Sequence, residues 1–167
     1  LRLSDFDRYD YAKAERVLYA SESVSVSFTV IPRQDTYGAL YCELQSETSH
    51  PAVRLLFRED GKLCVRTTAV LPICDYQADQ PVSITVRADC ITHRFMLSVN
   101  GGEEKKYLCM GAVDAISRFV LRTGAPRFSP TIEDIPSEDT ADVLPLCDEK
   151  DKAAVYDLIA FTSESKA

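Results

Sequence analysis

Eight residues near the start of the chain, 23–30, alternate strictly between polar and apolar side chains. They read Ser-Val-Ser-Val-Ser-Phe-Thr-Val, which puts the valines and Phe28 on one side and the serines and Thr29 on the other. A period of two is typical of a β-strand with one buried face. The β-branched residues also favour a strand over a helix. One face of this strand must therefore meet a hydrophobic core.

The same alternation recurs along the chain and predicts about ten short strands. Besides 23–30, the predicted strands fall at residues 38–45, 52–58, 63–70, 82–87, 93–99, 103–109, 119–123 and 153–162, with 16–19 as a short edge strand. Residues 13–16 could instead form one helical turn, a helical turn is also predicted at 113–117, and 72–81 is predicted as a loop. Asp60-Gly61 predicts a type I′ hairpin, and Asn100-Gly101-Gly102 predicts another tight turn. Short strands at this spacing indicate an antiparallel sandwich or barrel.

We also expect the last strand, 153–162, to pair with the strand at 23–30. The alternating positions predict which side chains lie between the sheets. The expected core comprises Val24, Val26, Phe28, Leu40, Leu44, Leu55, Phe57, Val82, Ile84, Val86, Phe95, Leu97 and Phe119.

The length of 167 residues suits one domain covering 1–167. Residues 1–20 form an N-terminal lead-in, and 125–152 form an acidic, proline-containing excursion before the last strand. No run of eighteen apolar residues occurs, so no membrane span is predicted. The chain begins at Leu1 without an initiator Met or a signal-peptide pattern, and we expect it to have been cut from a longer polypeptide.

The net charge of −7 is concentrated in one segment. Residues 133–151 hold eight acidic residues and one basic residue, and the remainder of the chain is neutral. No basic stripe is present, which argues against a nucleic-acid partner.

Six cysteines are present: Cys42, Cys64, Cys74, Cys90, Cys109 and Cys147. Their spacing forms no zinc-binding pattern. We expect at most one disulfide, with most cysteines buried as thiols. Free thiols favour a reducing compartment such as the cytoplasm, whereas disulfides would place the protein outside the cell.

The order of these segments resembles the concanavalin A-like (laminin-G-like) jelly-roll superfamily. The residues that carry the resemblance are SVSVSFTV, GALYCELQS, VRLLFREDGKL, ITVRADCITHRFMLSVNGG and AVYDLIAFTS, which together run from Ser21 to Thr162. The resemblance implies an all-β, antiparallel two-sheet jelly-roll sandwich. It also implies an accessory module of a carbohydrate-active enzyme, such as a glycoside hydrolase.

Catalysis by this domain alone is not expected. Glucanases of the superfamily use a Glu-x-Asp-x-Glu strand as acid and nucleophile, and that pattern is absent. Jelly-roll lyases carry arginines on a strand, and this chain has Arg54 and Arg58 on one predicted strand. The Gln-x-His pair that such lyases also need is missing from this chain. His50 and His93 are isolated and are expected on loops or the sheet surface. A polysaccharide hydrolase or lyase remains the least favoured alternative.

Two functions are favoured over catalysis: a non-catalytic glycan-binding or substrate-shaping module, and a structural or interaction domain packed on a catalytic neighbour. For the first, the predicted ligand-binding residues are Tyr41, Glu43, Arg54 and Arg122, which lie on outward strand positions. Tyr offers a ring for stacking, in a chain without Trp, and Arg offers paired donors.

Several residues have plainer interpretations. Arg118, Arg122 and Arg127 could simply form surface ion pairs with the acidic segment. No cofactor is expected. A structural Ca²⁺ near Asp5 and Asp157 is an alternative without diagnostic spacing.

Overall fold

The computed structural model describes residues 1–6, 11–123 and 153–166. The excursion predicted at 125–152, including Arg127 and Cys147, lies outside the described residues. The strands are β1 (Arg2–Asp5), β2 (Lys13–Ser21), β3 (Ser23–Pro32), β4 (Leu40–Gln45), β5 (Pro51–Phe57), β6 (Lys62–Arg66), β7 (Val70–Asp75), β8 (Val82–Asp89), β9 (Arg94–Val99), β10 (Lys105–Leu108), β11 (Ile116–Arg122) and β12 (Ala154–Lys166).

The strands form two antiparallel sheets of six, which confirms the predicted all-β sandwich. Sheet A has the order β1-β12-β3-β8-β9-β10, and sheet B has the order β2-β11-β4-β5-β6-β7. As predicted, the last strand pairs with the strand at 23–30. In the described part of the chain, no helix has the length and apolarity of a membrane span.

Strand β3 shows how the alternation works in three dimensions. Val24, Val26, Phe28 and Val30 are each no more than 3% exposed. On the outward side, the hydroxyls of Ser27 and Thr85 lie 3.0 Å apart, and those of Thr29 and Ser83 lie 2.9 Å apart. Each of these outward hydroxyls therefore has a cross-strand partner on the neighbouring β8.

The core lies between the sheets, and all thirteen residues predicted for it are buried. Phe119 on sheet B joins the two layers, because its ring centroid lies 4.9 Å from those of both Phe28 and Phe161 on sheet A. Such tilted aromatic contacts add to the free energy gained by burial.

The strand predicted at 63–70 exists but is shorter, and the prediction of a loop throughout 72–81 was wrong. Strand β6 ends at Arg66, and the chain turns and returns as β7, which contains Pro72. Proline lacks a backbone donor and argues against a central strand, but β7 lies at the edge of sheet B, where proline is tolerated.

The lead-in at 1–20 also proved more regular than predicted. It supplies β1 as well as β2, which extends the predicted edge strand at 16–19 and excludes a helical turn at 13–16. The predicted helical turn at 113–117 is likewise absent, because β11 begins at Ile116.

The two predicted hairpin turns differ from each other. Asn100 and Gly101 both have positive φ, as a type I′ turn requires, and the Gly102 amide donates to the Val99 carbonyl at 3.0 Å. At Asp60-Gly61 only the glycine has positive φ, so the predicted type I′ turn was wrong. The chain forms a three-residue loop whose last residue is left-handed.

The five cysteines among the described residues are free thiols. Cys42, Cys64 and Cys90 are buried, whereas Cys74 and Cys109 are partly exposed. Burial raises the pKa of the Cys42 thiol, and it raises that of Cys109 to about 11. These thiols are therefore protonated at neutral pH and weakly reactive.

Candidate functional site

The outward face of sheet B carries three rows of side chains that run across neighbouring strands. Pairing in register places the members of each row side by side. The first row is Lys13, Arg122, Tyr41, Leu56 and Cys64; the second is Glu15, Val120, Glu43, Arg54 and Arg66; the third is Val17, Arg118 and Gln45.

Glu43 is the acidic centre of this face, and its side chain is only 2% exposed. Its Oε1 accepts a hydrogen bond from Arg54 Nε at 2.6 Å and another from Arg122 Nη2 at 3.2 Å. Its Oε2 accepts a hydrogen bond from the Gln45 side-chain amide. A buried carboxylate requires such partners, and in return it fixes the positions of both guanidinium groups.

Tyr41 lies beneath the same two arginines. The guanidinium carbon of Arg122 is 4.4 Å from the centroid of the Tyr41 ring, and that of Arg54 is 5.4 Å away. Both contacts fall within cation–π range. A sugar can therefore stack on Tyr41 only over ring surface that the guanidinium groups leave open.

We call Tyr41, Glu43, Arg54 and Arg122 the arginine cluster. All four residues predicted from the sequence come together here, because β4 lies between β11 and β5. Arg54 and Arg122 each donate one N–H to Glu43, and their other N–H groups have no partner among the described residues. The guanidinium carbon of Arg122 also lies 5.8 Å from the centroid of the Tyr11 ring.

The three rows carry a net positive charge, although the full chain is acidic. The three rows contain five basic and two acidic side chains, a net charge of +3, whereas the full chain carries −7. Sequence reasoning missed Gln45 and Arg66. Gln45 follows Glu43 by two residues, so the alternation could have revealed it. Arg66 lies opposite Arg54 only because of the β5–β6 register, which the sequence left open.

Residues 1–138 match the protein family described as sialidase-like, CBM domain. The chain belongs to this family. It is thus an accessory β-sandwich module of the carbohydrate-binding class, and a catalytic role is not part of that assignment. Curated protein sequences contain no match to it.

Solved structures agree with this assignment. A sialidase is 28% identical with a TM-score of 0.81, and the match covers 98% of this chain and 15% of the sialidase. The sialidase-like CBM domain thus spans about 15% of that sialidase's length. Chicken galectin 2 shares the fold: it is 11% identical with a TM-score of 0.54, and the match covers 90% of this chain and 97% of the galectin. A family 7 alginate lyase also shares the fold: it is 9% identical with a TM-score of 0.59, and the match covers 93% of this chain and 73% of the lyase.

Other candidates from the sequence lie away from the arginine cluster. In this sialidase-like CBM domain His50 and His93 are exposed, in the β4–β5 loop and the β8–β9 turn. Arg118 pairs with Glu15 at 3.2 Å. In the described part of the chain, no group of three or more His, Cys, Asp or Glu side chains is placed to hold a metal ion.

The two carboxylates considered for Ca²⁺ have protein partners. Asp157 accepts hydrogen bonds from Arg2 and Arg33, and these hold its pKa down at about 2. Asp5 accepts a hydrogen bond from the Thr123 hydroxyl at 2.6 Å.

Proposed function

We propose that this module binds glycans through the arginine cluster and prefers glycans that carry an anionic group, such as a carboxylate. The observation that supports the proposal is the convergence of Arg54 and Arg122 on the buried carboxylate of Glu43. Glu43 neutralises one of the two positive charges, so the cluster retains a net charge of +1. An anionic sugar would meet that charge among three rows of side chains whose net charge is +3.

Preorganisation favours this function over a plain surface ion pair. The Arg54 and Arg122 side chains are only 22% and 19% exposed, so little conformational entropy remains to be lost when a ligand binds. Planar guanidinium groups bind carboxylates through paired hydrogen bonds, and they also donate to hydroxyl oxygens. Tyr41 beneath them supports their orientation.

The test uses two probes that differ by one anionic sugar, lactose and 3′-sialyllactose, in calorimetric titrations of the isolated domain. We expect sialyllactose to bind the arginine cluster more tightly than lactose does, with an affinity that falls as salt rises. Arg54→Ala should weaken sialyllactose binding at least tenfold, or about 1.4 kcal/mol. Arg94→Ala, an exposed arginine on sheet A, is the matched control and should have no effect.

Arg66→Ala is a second test variant that should keep the fold, since Arg66 is exposed and has no ion pair among the described residues. It should weaken binding slightly through the lost charge. Absence of sialyllactose binding, or equal binding by the wild type and Arg54→Ala, would reject the proposal.

We further infer that the module packs against another domain of a longer polypeptide, as the small share of the matched sialidase suggests. Several exposed hydrophobic side chains of the described residues lie on β2 and β12 or next to β1, at one edge of the sandwich. On β2, Val17 and Tyr19 are 75% and 78% exposed, and Leu1 and Ile159 are exposed as well. An apolar groove of about 350 Å³ opens at this apolar edge and reaches the core residue Phe119. Apolar edges of this kind mark protein contacts.

Hydrogen exchange tests this contact by comparing the isolated module with the longer polypeptide. We expect amides of β2 and the middle of β12 to gain protection in the longer form. Val17→Lys combined with Tyr19→Lys should lower the melting temperature of the longer polypeptide without changing that of the module. Equal exchange in both forms would exclude a docked neighbour.

A further inference from the structure

A second concave site lies beyond the end of β4, outside the arginine cluster. The β4–β5 loop at 46–50 forms one wall and residues 112–117 form the other, with Ala20 at the margin. They enclose about 370 Å³, which falls within the range of small-molecule sites, about 300–1,000 Å³. We call this space the loop cleft.

The two walls of the loop cleft are fixed to each other. The Met110 amide donates to the Ala52 carbonyl at 2.7 Å, which ties the segment before β11 to β5. Next to it, a Cβ placed on Gly111 would approach the Pro51 carbonyl oxygen to 3.0 Å. A side chain at position 111 would therefore require the Pro51 carbonyl to shift, and the glycine permits this close approach of the segment before β11 to the start of β5.

Hydrogen bonds order the polar groups of the β4–β5 loop. The Ser46 and Thr48 hydroxyls lie 3.1 Å apart, and the Thr48 hydroxyl lies 2.9 Å from His50 Nδ1. The His50 amide donates to the Ser46 hydroxyl at 3.2 Å. This chain of groups fixes two hydroxyls and an imidazole at the mouth of the cleft before any ligand arrives.

One buried polar group in the cleft lacks a partner. The Ser117 hydroxyl is shielded from solvent and makes no hydrogen bond with the described residues. Buried hydroxyls are normally paired, because leaving one unpaired costs free energy. As placed, this hydroxyl has almost no accessible surface, so a ligand oxygen can supply the missing hydrogen bond only after the Ser117 side chain rotates into the cleft.

The charge of the loop cleft sets the class of ligand. Glu47 and Asp114 line it, both exposed and without an ion pair among the described residues, and no Lys or Arg lines it. Carboxylates accept hydrogen bonds and repel anions, so they suit the hydroxyl donors of an uncharged sugar. Val113 and the neighbouring alanines offer apolar surface for the C–H face of a ring.

We propose that the loop cleft is a second carbohydrate subsite that binds a neutral, hydroxyl-rich sugar residue. The Ser117 side chain rotates so that its hydroxyl pairs with a ring or hydroxyl oxygen, and Glu47 and Asp114 accept hydrogen bonds from sugar hydroxyls. This site has the opposite charge preference to the arginine cluster. It does not depend on the function proposed for that cluster.

The two sites lie close enough to engage one glycan. Ser46 follows Glu43 by three residues, which is about 10 Å along an extended strand. The Gln45 side chain lies between them, and its buried Oε1 has no hydrogen-bond partner in the described part of the chain. A branched or mixed glycan with one anionic and one neutral arm could therefore contact both sites.

The test is an NMR titration of ¹⁵N-labelled protein with three neutral probes: lactose, N-acetylglucosamine and methyl α-mannoside. We expect at least one probe to shift the amides of residues 46–50 and 112–117. Glu47→Ala combined with Asp114→Ala should weaken that probe at least tenfold, and Arg94→Ala should not. Both replaced carboxylates are exposed, so the fold should be retained.

Ser117→Ala distinguishes a binding role from a structural one. Removal of an unpaired buried hydroxyl should leave the melting temperature unchanged or raise it, while the neutral probe binds more weakly. Shifts confined to other regions, no shift with any neutral probe, or full binding by the carboxylate double variant would overturn the proposal. Titration with N-acetylneuraminate reads the arginine cluster separately, so the two proposals can fail independently.

Discussion

Glu43 controls the outward face of sheet B, because one buried carboxylate holds two arginines and the Gln45 amide. Replacing it with Gln would leave Arg54 and Arg122 close together without a counter-charge. We expect Glu43→Gln to lower the free energy of unfolding by about 3 kcal/mol, measured by urea denaturation. Glu104→Gln, which breaks the exposed pair with Arg87, is the control and should cost less than about 1 kcal/mol. Similar losses for the two variants would contradict this account.

Phe28 is the residue at which the alternating strand meets the opposite sheet. It is 3% exposed and its ring contacts Phe119 across the sandwich. Phe28→Ala should destabilise the domain by about 3–5 kcal/mol, through lost burial and the cavity that remains. Thermal and urea unfolding measure the loss. Tyr19→Ser, at an exposed position, should change stability by less than about 0.5 kcal/mol.

At the scale of elements, Asp157 joins β12 to β1 and to the end of β3. Hydrogen bonds from Arg2, and then from Arg33, lower its pKa to about 2, below its value in the unfolded chain. The resulting stability is present above about pH 4 and is lost as the pH falls towards 2. Since both arginines are partly exposed, we expect about 1 kcal/mol. Urea denaturation of Asp157→Asn between pH 2 and 7 should show a free energy of unfolding that is lower by that amount at neutral pH. It should also fall less steeply than that of the wild type as the pH drops. An unchanged pH profile would exclude this role.

Two glycines with the same backbone conformation should respond differently to alanine. Gly61 and Gly101 have φ of +71° and +69°, so both substitutions strain the backbone. A Cβ at Gly101 meets nothing within 4 Å, and Gly101→Ala should cost about 1 kcal/mol. At Gly61 the Cβ would lie 3.3 Å from the Asp35 carbonyl oxygen, so Gly61→Ala should cost about 2–3 kcal/mol. Equal melting temperatures for the two variants would show that this contact relaxes freely.

At the scale of the whole molecule, the sandwich could be predicted because a period of two requires a buried face on each strand. The pairing of β3 with β12 also followed from the sequence. Strand β7 could not be predicted, because Pro72 is acceptable only at an edge, and the strand order that makes it an edge is a tertiary property.

The candidate site was likewise predicted only in part from the sequence. The two-residue spacing of Tyr41 and Glu43 predicts that they share one face of a strand. Arg54 and Arg122 were predicted for the same site, but their proximity depends on the strand order, which the sequence alone does not give. The burial of Glu43 and the contact of Arg122 with the Tyr41 ring depend on side-chain packing across strands, which alternation alone does not encode. The loop cleft was missed because its two walls are about 65 residues apart in the sequence and meet only through the fold.

The five free thiols among the described residues can report where this domain opens. Cys42 lies in the core, Cys64 on the outward face of sheet B, Cys90 at the turn after β8, and Cys74 and Cys109 nearer the surface. An alkylating reagent should modify Cys74 and Cys109 through local opening, and Cys42 only when the whole sandwich unfolds. Peptide mass spectrometry can read the rates separately. The rate at Cys42 would then measure global unfolding under native conditions, without denaturant and without any introduced label.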